Sequence, residues 1–202
     1  MRAGAVLLAA GESTRMSEAK QLLDWEGVPL LQYQIKQLAD TSIQEIVVVL
    51  GHRADTFIPL IHQTIKSPKV HVVINSHYLK GKTTSIKAGL RNFRGTPHMI
   101  LLLAVDQPRP REVLQRLLDE HWQGGHTISV PSYRGQYGHP PVFDASLIPE
   151  LLAISEERKG IREVIERHRG ELWEVTMDSP IVLTDLNTSV DYRRAKKRTF
   201  NY

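Results

Sequence analysis

The first feature with chemical meaning is a glycine turn near the start of the chain, followed by two basic residues. It reads Leu8-Ala9-Ala10-Gly11-Glu12-Ser13-Thr14-Arg15-Met16, and Lys20 lies nine residues after the glycine. Small residues let backbone N–H groups approach a phosphate closely, and Arg15 and Lys20 are able to neutralise a triphosphate. An ordinary turn that needs Gly11 for its backbone angles fits the residues equally well. The turn matches neither the P-loop nor the Gly-x-Gly-x-x-Gly dinucleotide fingerprint.

Oxygen-bearing side chains follow two later apolar runs. Asp106 comes directly after the run Met99–Val105, and Asp185 and Asn187 follow the run Ile181–Leu183. Mg²⁺ is typically held by one or two protein carboxylates, with phosphate and water at its other positions. Because Asp185 and Asn187 alternate as in a strand, we expect them to face the same side, where either is a candidate second metal ligand. The competing interpretation is that Asp106 is a helix N-cap and that Asn187 or Ser189 caps the last helix.

Two further polar groups are candidates for contacts with the substrates. Asn75 follows the third apolar run, and Gly81 and Ser85 come soon after it, where small residues permit contact with a base or sugar. Hydroxyl caps of a helix explain the same residues. The nine histidines form no i, i+4 pair or metal-ligand cluster, so a zinc site is not expected. His139, within Gly138-His139-Pro140, is the histidine retained as a site residue.

Composition narrows the class of protein. With 202 residues the chain is long enough for a sizeable core, and we expect a single domain over 1–202. It contains no cysteine, which excludes disulfides, thiolate zinc sites and a cysteine nucleophile. The net charge is +4, but five bases crowd 193–198, as in the last turns of a helix, so we expect no nucleic acid binding. No apolar run is long enough to span a membrane, and the N-terminal run breaks at Gly11, so we expect a soluble, cytoplasmic protein.

The order of elements that must position these residues alternates apolar runs with amphipathic segments. Runs that are apolar on both faces and are separated by helices predict an α/β fold with a mostly parallel central sheet covered on both faces. In such sheets ligands bind beyond the carboxyl ends of the strands, near a switch in strand order. The predicted strands are Ala5–Ala9, Glu45–Leu50, Val70–Ile74, Met99–Val105, Thr127–Val130, Leu172–Val175 and Ile181–Leu183. The first predicted helix begins at Pro29. The other predicted helices cover Ala54–Ile65, Thr83–Arg94, Pro108–Leu118, Ile161–Arg167 and a terminal segment from Ser189.

Taken together, these motifs resemble the MobA-like nucleotidyltransferases, and most closely the molybdenum cofactor cytidylyltransferase branch. The opening loop and Gly27-Val28-Pro29-Leu30-Leu31 resemble the start of that family. The likeness continues, in the expected order, through Asn75, Gly81, Ser85-x-x-x-Gly89-Leu90, Asp106-Gln107-Pro108, Gly138-His139-Pro140, Lys159-Gly160-x-Arg162 and Asp185-Leu186-Asn187-Thr188.

The resemblance implies a Rossmann-like, GT-A-like nucleotidyltransferase fold. It implies that Leu8, Ala9, Ala10 and Gly11 wrap the triphosphate together with Arg15 and Lys20, and that Asn75, Gly81 and Ser85 contact the nucleotide. Asp106 would hold Mg²⁺ with Asn187 or Asp185, and Gly138, His139, Pro140 and Arg162 would bind the acceptor. Ala10 in place of a glycine points to CTP. The expected reaction is transfer of CMP to the phosphate of molybdopterin, with a molybdoenzyme or its chaperone as a further candidate partner.

Three departures from the family pattern keep alternatives open. Ser17-Glu18-Ala19 follows Met16, Asn187 replaces a carboxylate, and Lys82-Thr83-Thr84 replaces smaller residues. One alternative is a nucleotidyltransferase acting on a sugar or polyol phosphate. The other is a cofactor-binding maturation factor for molybdoenzymes that is not an enzyme.

Overall fold

The structure is a computed structural model that describes residues 2–14, 16, 18–64 and 66–200. Arg15, which is predicted to neutralise the triphosphate, lies outside the described residues. The strands are β1 Ala3–Ala9, β2 Asp24–Trp25, β3 Val28–Pro29, β4 Glu45–Leu50, β5 Val70–Ile74, β6 Met99–Ala104, β7 Ile128–Tyr133, β8 Gln136–Tyr137, β9 Val142–Asp144 and β10 Leu172–Thr176. The α-helices are α1 Leu30–Ala39, α2 Ala54–Thr64, α3 Lys82–Arg91, α4 Arg111–Gly124, α5 Ile148–Ala153, α6 Ile161–Arg167 and α7 Ser189–Phe200.

The main sheet has the strand order β10-β7-β9-β6-β1-β4-β5, and β8 pairs with β7 at its side. β1 pairs in parallel with both β4 and β6, β4 with β5, and β7 with β10. β9 runs antiparallel to β6 and β7, which makes it the reversed strand of a mostly parallel path. The chain builds outward from β1 to β4 and β5 and then returns to place β6 on the other side of β1. The switch in strand order therefore lies between β1 and β6.

Successive residues of the central strands pack alternately into two hydrophobic layers, one on each face of the sheet. On β1, Ala5 and Leu7 pack into one layer, whereas Val6 and Leu8 pack into the other. The first layer is covered by α1, α2, α4 and α7, and the second by α3, α5 and α6. Strands buried on both faces explain why their sequences are apolar without alternation.

The predicted α/β class and the mostly parallel sheet with helices on both faces are confirmed. The predicted strand Ile181–Leu183 is wrong, because Pro180–Leu183 forms a 3₁₀ turn. Ser179 begins this turn, and its side chain accepts a hydrogen bond from the backbone N–H of Ile181. Val182 is apolar because it is fully buried in the core rather than because it lies in a sheet. β9 and α5 were not predicted from the sequence.

None of the helices in the described part of the chain is long and apolar enough to cross a membrane.

Candidate active site

A cleft of about 280 Å³ opens beyond the carboxyl ends of β1 and β6, where the strand order switches. Its walls bring together the loop after β1, the residues after β6, the start of α3 and one residue near the C-terminus. The lining residues include Leu8, Ala10, Gly11, Lys20, Lys82, Ser85, Asp106 and Asn187.

The Gly11 loop is shaped by side-chain hydrogen bonds rather than by the glycine's backbone freedom. Gly11 does not adopt a positive φ, whereas Ser13 does, with a φ of 58°. The Ser13 hydroxyl accepts a hydrogen bond of 2.9 Å from the backbone N–H of Lys20. Below the loop, Gln21 donates from Nε2 to the Ala9 carbonyl at 2.7 Å. A Cβ on Gly11 would meet no atom within 4 Å, so the fold does not require a glycine at this position. The missing side chain instead leaves the loop backbone open to the cleft.

The predicted loop residues divide between the cleft and the core. Leu8, Ala10 and Gly11 line the cleft. Ala9 does not, because its side chain points to the opposite face of β1 and packs into the core there.

Asp106 and Asn187 converge on one cationic atom in the cleft. Lys20 Nζ donates to Asp106 Oδ2 at 2.6 Å and to Asn187 Oδ1 at 3.4 Å. The backbone N–H of Leu186 donates to the Asp106 carbonyl at 2.8 Å, which fixes the C-terminal segment against the end of β6. The side chains of Lys20 and Asp106 are 12% and 22% exposed, so their ion pair is partly shielded from water.

Neither Asp106 nor Asn187 serves as a helix cap. The residue before α4 is Pro110, and no side chain caps that helix. At α7 a reciprocal cap forms between Thr188 and Asp191, in which Asp191 Oδ2 accepts from the Thr188 N–H and the Thr188 hydroxyl accepts from the Asp191 N–H. The capping alternative therefore fails for both oxygen donors, which leaves their side chains directed at the cleft.

The predicted common orientation of Asp185 and Asn187 is wrong. The segment 184–188 has no strand geometry, so the alternation on which the prediction rests does not apply. Asn187 lines the cleft, whereas Asp185 borders a separate cavity of about 940 Å³ against α7. Asp185 Oδ1 is buried and has no hydrogen-bond partner among the described residues.

The oxygens of Asp106 and Asn187 fit a divalent cation. Carboxylate and amide oxygens are ligands that Mg²⁺ accepts, and here both lie within reach of the same positive charge. No group of three or more His, Cys, Asp or Glu side chains within the described ranges is placed to hold a metal by itself. Two protein oxygens leave the remaining positions of an ion to phosphate and water, which is the usual arrangement for Mg²⁺.

The residues predicted to contact the nucleotide have different roles. Ser85 lines the cleft, whereas Asn75 lies behind it and donates from Nδ2 to the hydroxyls of Thr84 and Ser85 at 2.8 and 3.0 Å. Asn75 therefore orients the first turn of α3. Gly81 has a φ of 108°, and a Cβ there would collide with the carboxyl group of Glu156. Gly81 is thus required by backbone conformation and packing, not by contact with the cleft.

The predicted acceptor residues lie around His139. Gly138 is buried against the Val182 carbonyl, which leaves no room for a Cβ. The His139 N–H donates to the same carbonyl at 2.9 Å, and the His139–Pro140 bond is cis. Burial lowers the pKa of His139, the charge of Asp185 opposes that shift, and the positive charges of Lys82, Arg109 and Arg162 add to it. Arg162 and Lys82 therefore place positive charge near His139, and Asp185 places negative charge there.

Arg109 is a structural centre of the site that the sequence did not indicate. Its side chain is fully buried and donates from Nε to the His139 carbonyl at 2.7 Å and from Nη2 to the Val182 carbonyl at 2.8 Å. Nη1 donates to the Pro108 and Thr184 carbonyls at 2.9 and 3.0 Å. Burial lowers the pKa of Arg109 to about 10, against the favourable charges of Asp185 and Asp106. One guanidinium thus ties the His139 segment and the segment leading to Asn187 to the end of β6.

Comparison with known proteins identifies the family. Residues 5–172 match the MobA-like NTP transferase domain. This chain belongs to the MobA-like NTP transferase family. It is 23% identical to the molybdenum cofactor cytidylyltransferase of Escherichia coli (strain K12) over 194 residues, which cover 96% of this chain and 95% of that protein. It is also 28% identical to the bifunctional protein GlmU of Anaeromyxobacter sp. (strain K) over 172 residues, or 79% of this chain, but spans only 35% of that protein's length.

Two solved structures share the fold of this chain. A nucleotidyl transferase from Methanothermobacter thermautotroptrophicus superposes with a TM-score of 0.82 at 24% identity, with 99% of this chain and 98% of that chain covered. The manganese complex of Rv0371c from Mycobacterium tuberculosis H37Rv has a TM-score of 0.74 at 24% identity, with 96% and 97% covered. The predicted Rossmann-like nucleotidyltransferase fold is confirmed for this MobA-like chain.

Proposed function

We propose that this MobA-like protein is a metal-dependent nucleotidyltransferase that moves CMP from CTP to the phosphate of molybdopterin. The observation that carries the proposal is the convergence of Asp106 and Asn187 on one cationic point, in a cleft whose other wall is the open Gly11 loop. A phosphate loop and a cation position in one cleft match the needs of nucleotidyl transfer, which requires charge neutralisation and alignment rather than a protein nucleophile.

In the proposed reaction an acceptor phosphate oxygen forms a bond to the α-phosphorus of CTP. The bond from that phosphorus to the bridging β-oxygen breaks, and pyrophosphate leaves with the electron pair. The Gly11 loop presents backbone N–H groups to the triphosphate, and Lys20 and Arg15 neutralise it. Asp106 and Asn187 would hold Mg²⁺, which when bound stabilises charge on the phosphate oxygens.

The acceptor is proposed to lie on the His139 side of the cleft. Lys82 and Arg162 provide positive charge there, since their charges add to the lowering of the His139 pKa that burial causes. This charge suits an acceptor that reacts through a phosphate. The choice of molybdopterin rests on the likeness to the cytidylyltransferase of Escherichia coli over nearly the full length of both chains, and the choice of CTP rests on Ala10. A molybdoenzyme or its chaperone is the proposed recipient of the product.

Pyrophosphate release tests the proposal. The protein is assayed with Mg²⁺, each of the four common ribonucleoside triphosphates, and molybdopterin, a sugar 1-phosphate or a polyol phosphate as acceptor. We expect release with CTP and molybdopterin. We also expect a loss of about 100-fold or more in Asp106→Ala, because the loss of a group that stabilises transition-state charge typically costs this much. Asp178→Ala, at a carboxylate that is 95% exposed, is the control and should retain activity.

The other outcomes of that assay identify the alternatives. Preference for GTP would refute the cytidylyl assignment, and release only with a sugar or polyol phosphate would replace the acceptor. Binding of molybdopterin without pyrophosphate release from any nucleotide would show a maturation factor instead of an enzyme.

A further inference from the structure

Lys20 occupies the point at which the two proposed metal ligands meet. Its ammonium group lies 2.6 Å from Asp106 Oδ2 and 3.4 Å from Asn187 Oδ1, and its side chain is only 12% exposed. The backbone of Lys20 is fixed separately, by the hydrogen bond from its N–H to Ser13. The ammonium group can therefore leave the two oxygens by rotation of the side chain alone, without a change in the loop.

The ammonium group and a divalent ion cannot both use these oxygens in this arrangement. Mg²⁺ binds oxygen at about 2.0–2.1 Å and Nζ lies 2.6 Å from Asp106 Oδ2, so an ion on that oxygen would lie no more than about 4.7 Å from Nζ in its present position. Two positive charges at that separation in a partly buried cleft repel each other strongly. A bound metal therefore requires Lys20 to move, and the triphosphate proposed for this cleft supplies an alternative anionic partner for it.

We propose that Lys20 is the resident counter-ion of the metal position and makes metal binding conditional on the nucleotide. Without nucleotide, Lys20 competes with the divalent ion for Asp106 and Asn187. With nucleotide, Lys20 pairs with the phosphates and frees the two oxygens, so the ion and the nucleotide bind together. This inference rests on the metal position in the proposed function and adds an order of binding to it.

Direct Mn²⁺ binding tests the competition without any turnover. Free Mn²⁺ is measured by electron paramagnetic resonance during titration of the protein, first alone and then with saturating CTP. The variants are Lys20→Met, which keeps a stem of similar length without the charge, and Lys82→Met, which removes an equal charge from the same cleft. Within the described part of the chain, Lys82 forms no hydrogen bond or ion pair with Asp106 or Asn187. Circular dichroism confirms that each variant is folded.

We expect Lys20→Met to bind Mn²⁺ alone about tenfold or more tightly than the wild type, the scale expected when a competing hydrogen bond to a charged group is removed. Lys82→Met should change the affinity by less than threefold, because it removes only long-range repulsion. With saturating CTP the difference between Lys20→Met and the wild type should shrink to less than threefold, because Lys20 then pairs with the phosphates and no longer competes for the two oxygens. This loss of the difference on addition of CTP is the signature of the exchange.

Equal Mn²⁺ affinity in wild type and Lys20→Met without nucleotide, including no detectable binding by either, would overturn the inference. A gain in Lys82→Met as large as that in Lys20→Met would also overturn it, since the effect would then be general electrostatics. Asp106→Asn separates this failure from that of the proposed function. If Asp106→Asn leaves Mn²⁺ binding to the CTP complex intact, the metal position itself is wrong.

Discussion

Replacement of Arg109 by methionine should destabilise the protein strongly, because the guanidinium satisfies four carbonyl groups from three separate segments. Each lost hydrogen bond to a charged group removes about 1.5–3 kcal/mol. Burial of the charged guanidinium costs the folded protein about 3 kcal/mol, as the lowering of the Arg109 pKa from 12.5 to about 10 indicates, and the methionine variant is free of this cost. The net loss in unfolding free energy should therefore be at least about 3 kcal/mol, a large part of the roughly 5–15 kcal/mol that stabilises a typical domain.

Urea denaturation followed by circular dichroism measures this loss, and Arg111→Met is the matched control. Arg111 begins α4 two residues later, donates from Nε to the Asp40 carbonyl at 2.7 Å, and has a side chain that is 51% exposed. Arg111→Met should cost less than about 1 kcal/mol, as is usual for exposed contacts. A loss in Arg109→Met below 1 kcal/mol, or equal to that of Arg111→Met, would refute the role assigned to the buried guanidinium. If the variant folds at low temperature, its affinity for Mn²⁺ with CTP should also fall, because the segment leading to Asn187 loses its anchor.

Three further predictions follow from single residues. Gly11→Ala should change the unfolding free energy by less than about 0.5 kcal/mol but reduce the thermal stabilisation by CTP. Gly89→Ala should destabilise the protein by about 1–3 kcal/mol, because the added Cβ would collide with the side chain of Val6. Equal stability of the two variants would contradict this prediction. Asn187→Asp should raise Mn²⁺ affinity on the order of tenfold, because a second carboxylate attracts a divalent ion more strongly than it attracts Lys20. An unchanged Mn²⁺ affinity would show that Asn187 is not a ligand of the metal. Burial lowers the pKa of His121 to about 4. Between pH 6.5 and 4 the unfolded chain therefore binds a proton that the folded chain does not bind. The unfolding free energy should fall by about 3 kcal/mol as the pH drops through that window. His121→Gln should flatten this dependence in urea titrations at pH 4 to 7, and an unaltered slope would contradict the assignment.

The central strands could be predicted because their burial on both faces leaves a direct trace in the residues. β4 is apolar from Ile46 to Leu50 and is followed by Gly51, β6 is apolar throughout, and both strands appear in the structure close to their predicted limits. The run Ile181–Leu183 has the same composition but forms a 3₁₀ turn, because Pro180 starts a turn and Arg109 binds the carbonyls of Val182 and Thr184. An apolar run therefore predicts that a segment is buried, but it does not by itself predict whether the buried segment is a strand or a turn.

The placement of candidate site residues was predictable where a residue's position relative to a strand determines its direction. Asp106 and Gly11 follow β6 and β1, and adjacent parallel strands bring their carboxyl ends to the same edge of the sheet. The prediction failed for Asp185, because the strand alternation assumed for it does not exist. Arg109 carried no signal, since a buried arginine looks the same in a sequence as an exposed one, and arginine is usually exposed. The contact of Lys20 with Asp106 spans 86 positions and depends on packing that local patterns do not encode.

The most direct measurement of the central claim follows a labelled phosphate through the reaction. The protein is incubated with Mg²⁺ and molybdopterin, and with CTP that carries ³²P at either the α or the γ position. We predict that the α label appears in the modified acceptor and that the γ label appears only in pyrophosphate. Neither transfer should occur in Asp106→Ala. Appearance of the γ label in the acceptor or as inorganic phosphate would contradict nucleotidyl transfer, because bond cleavage would then occur at the terminal phosphate and not at the α-phosphorus.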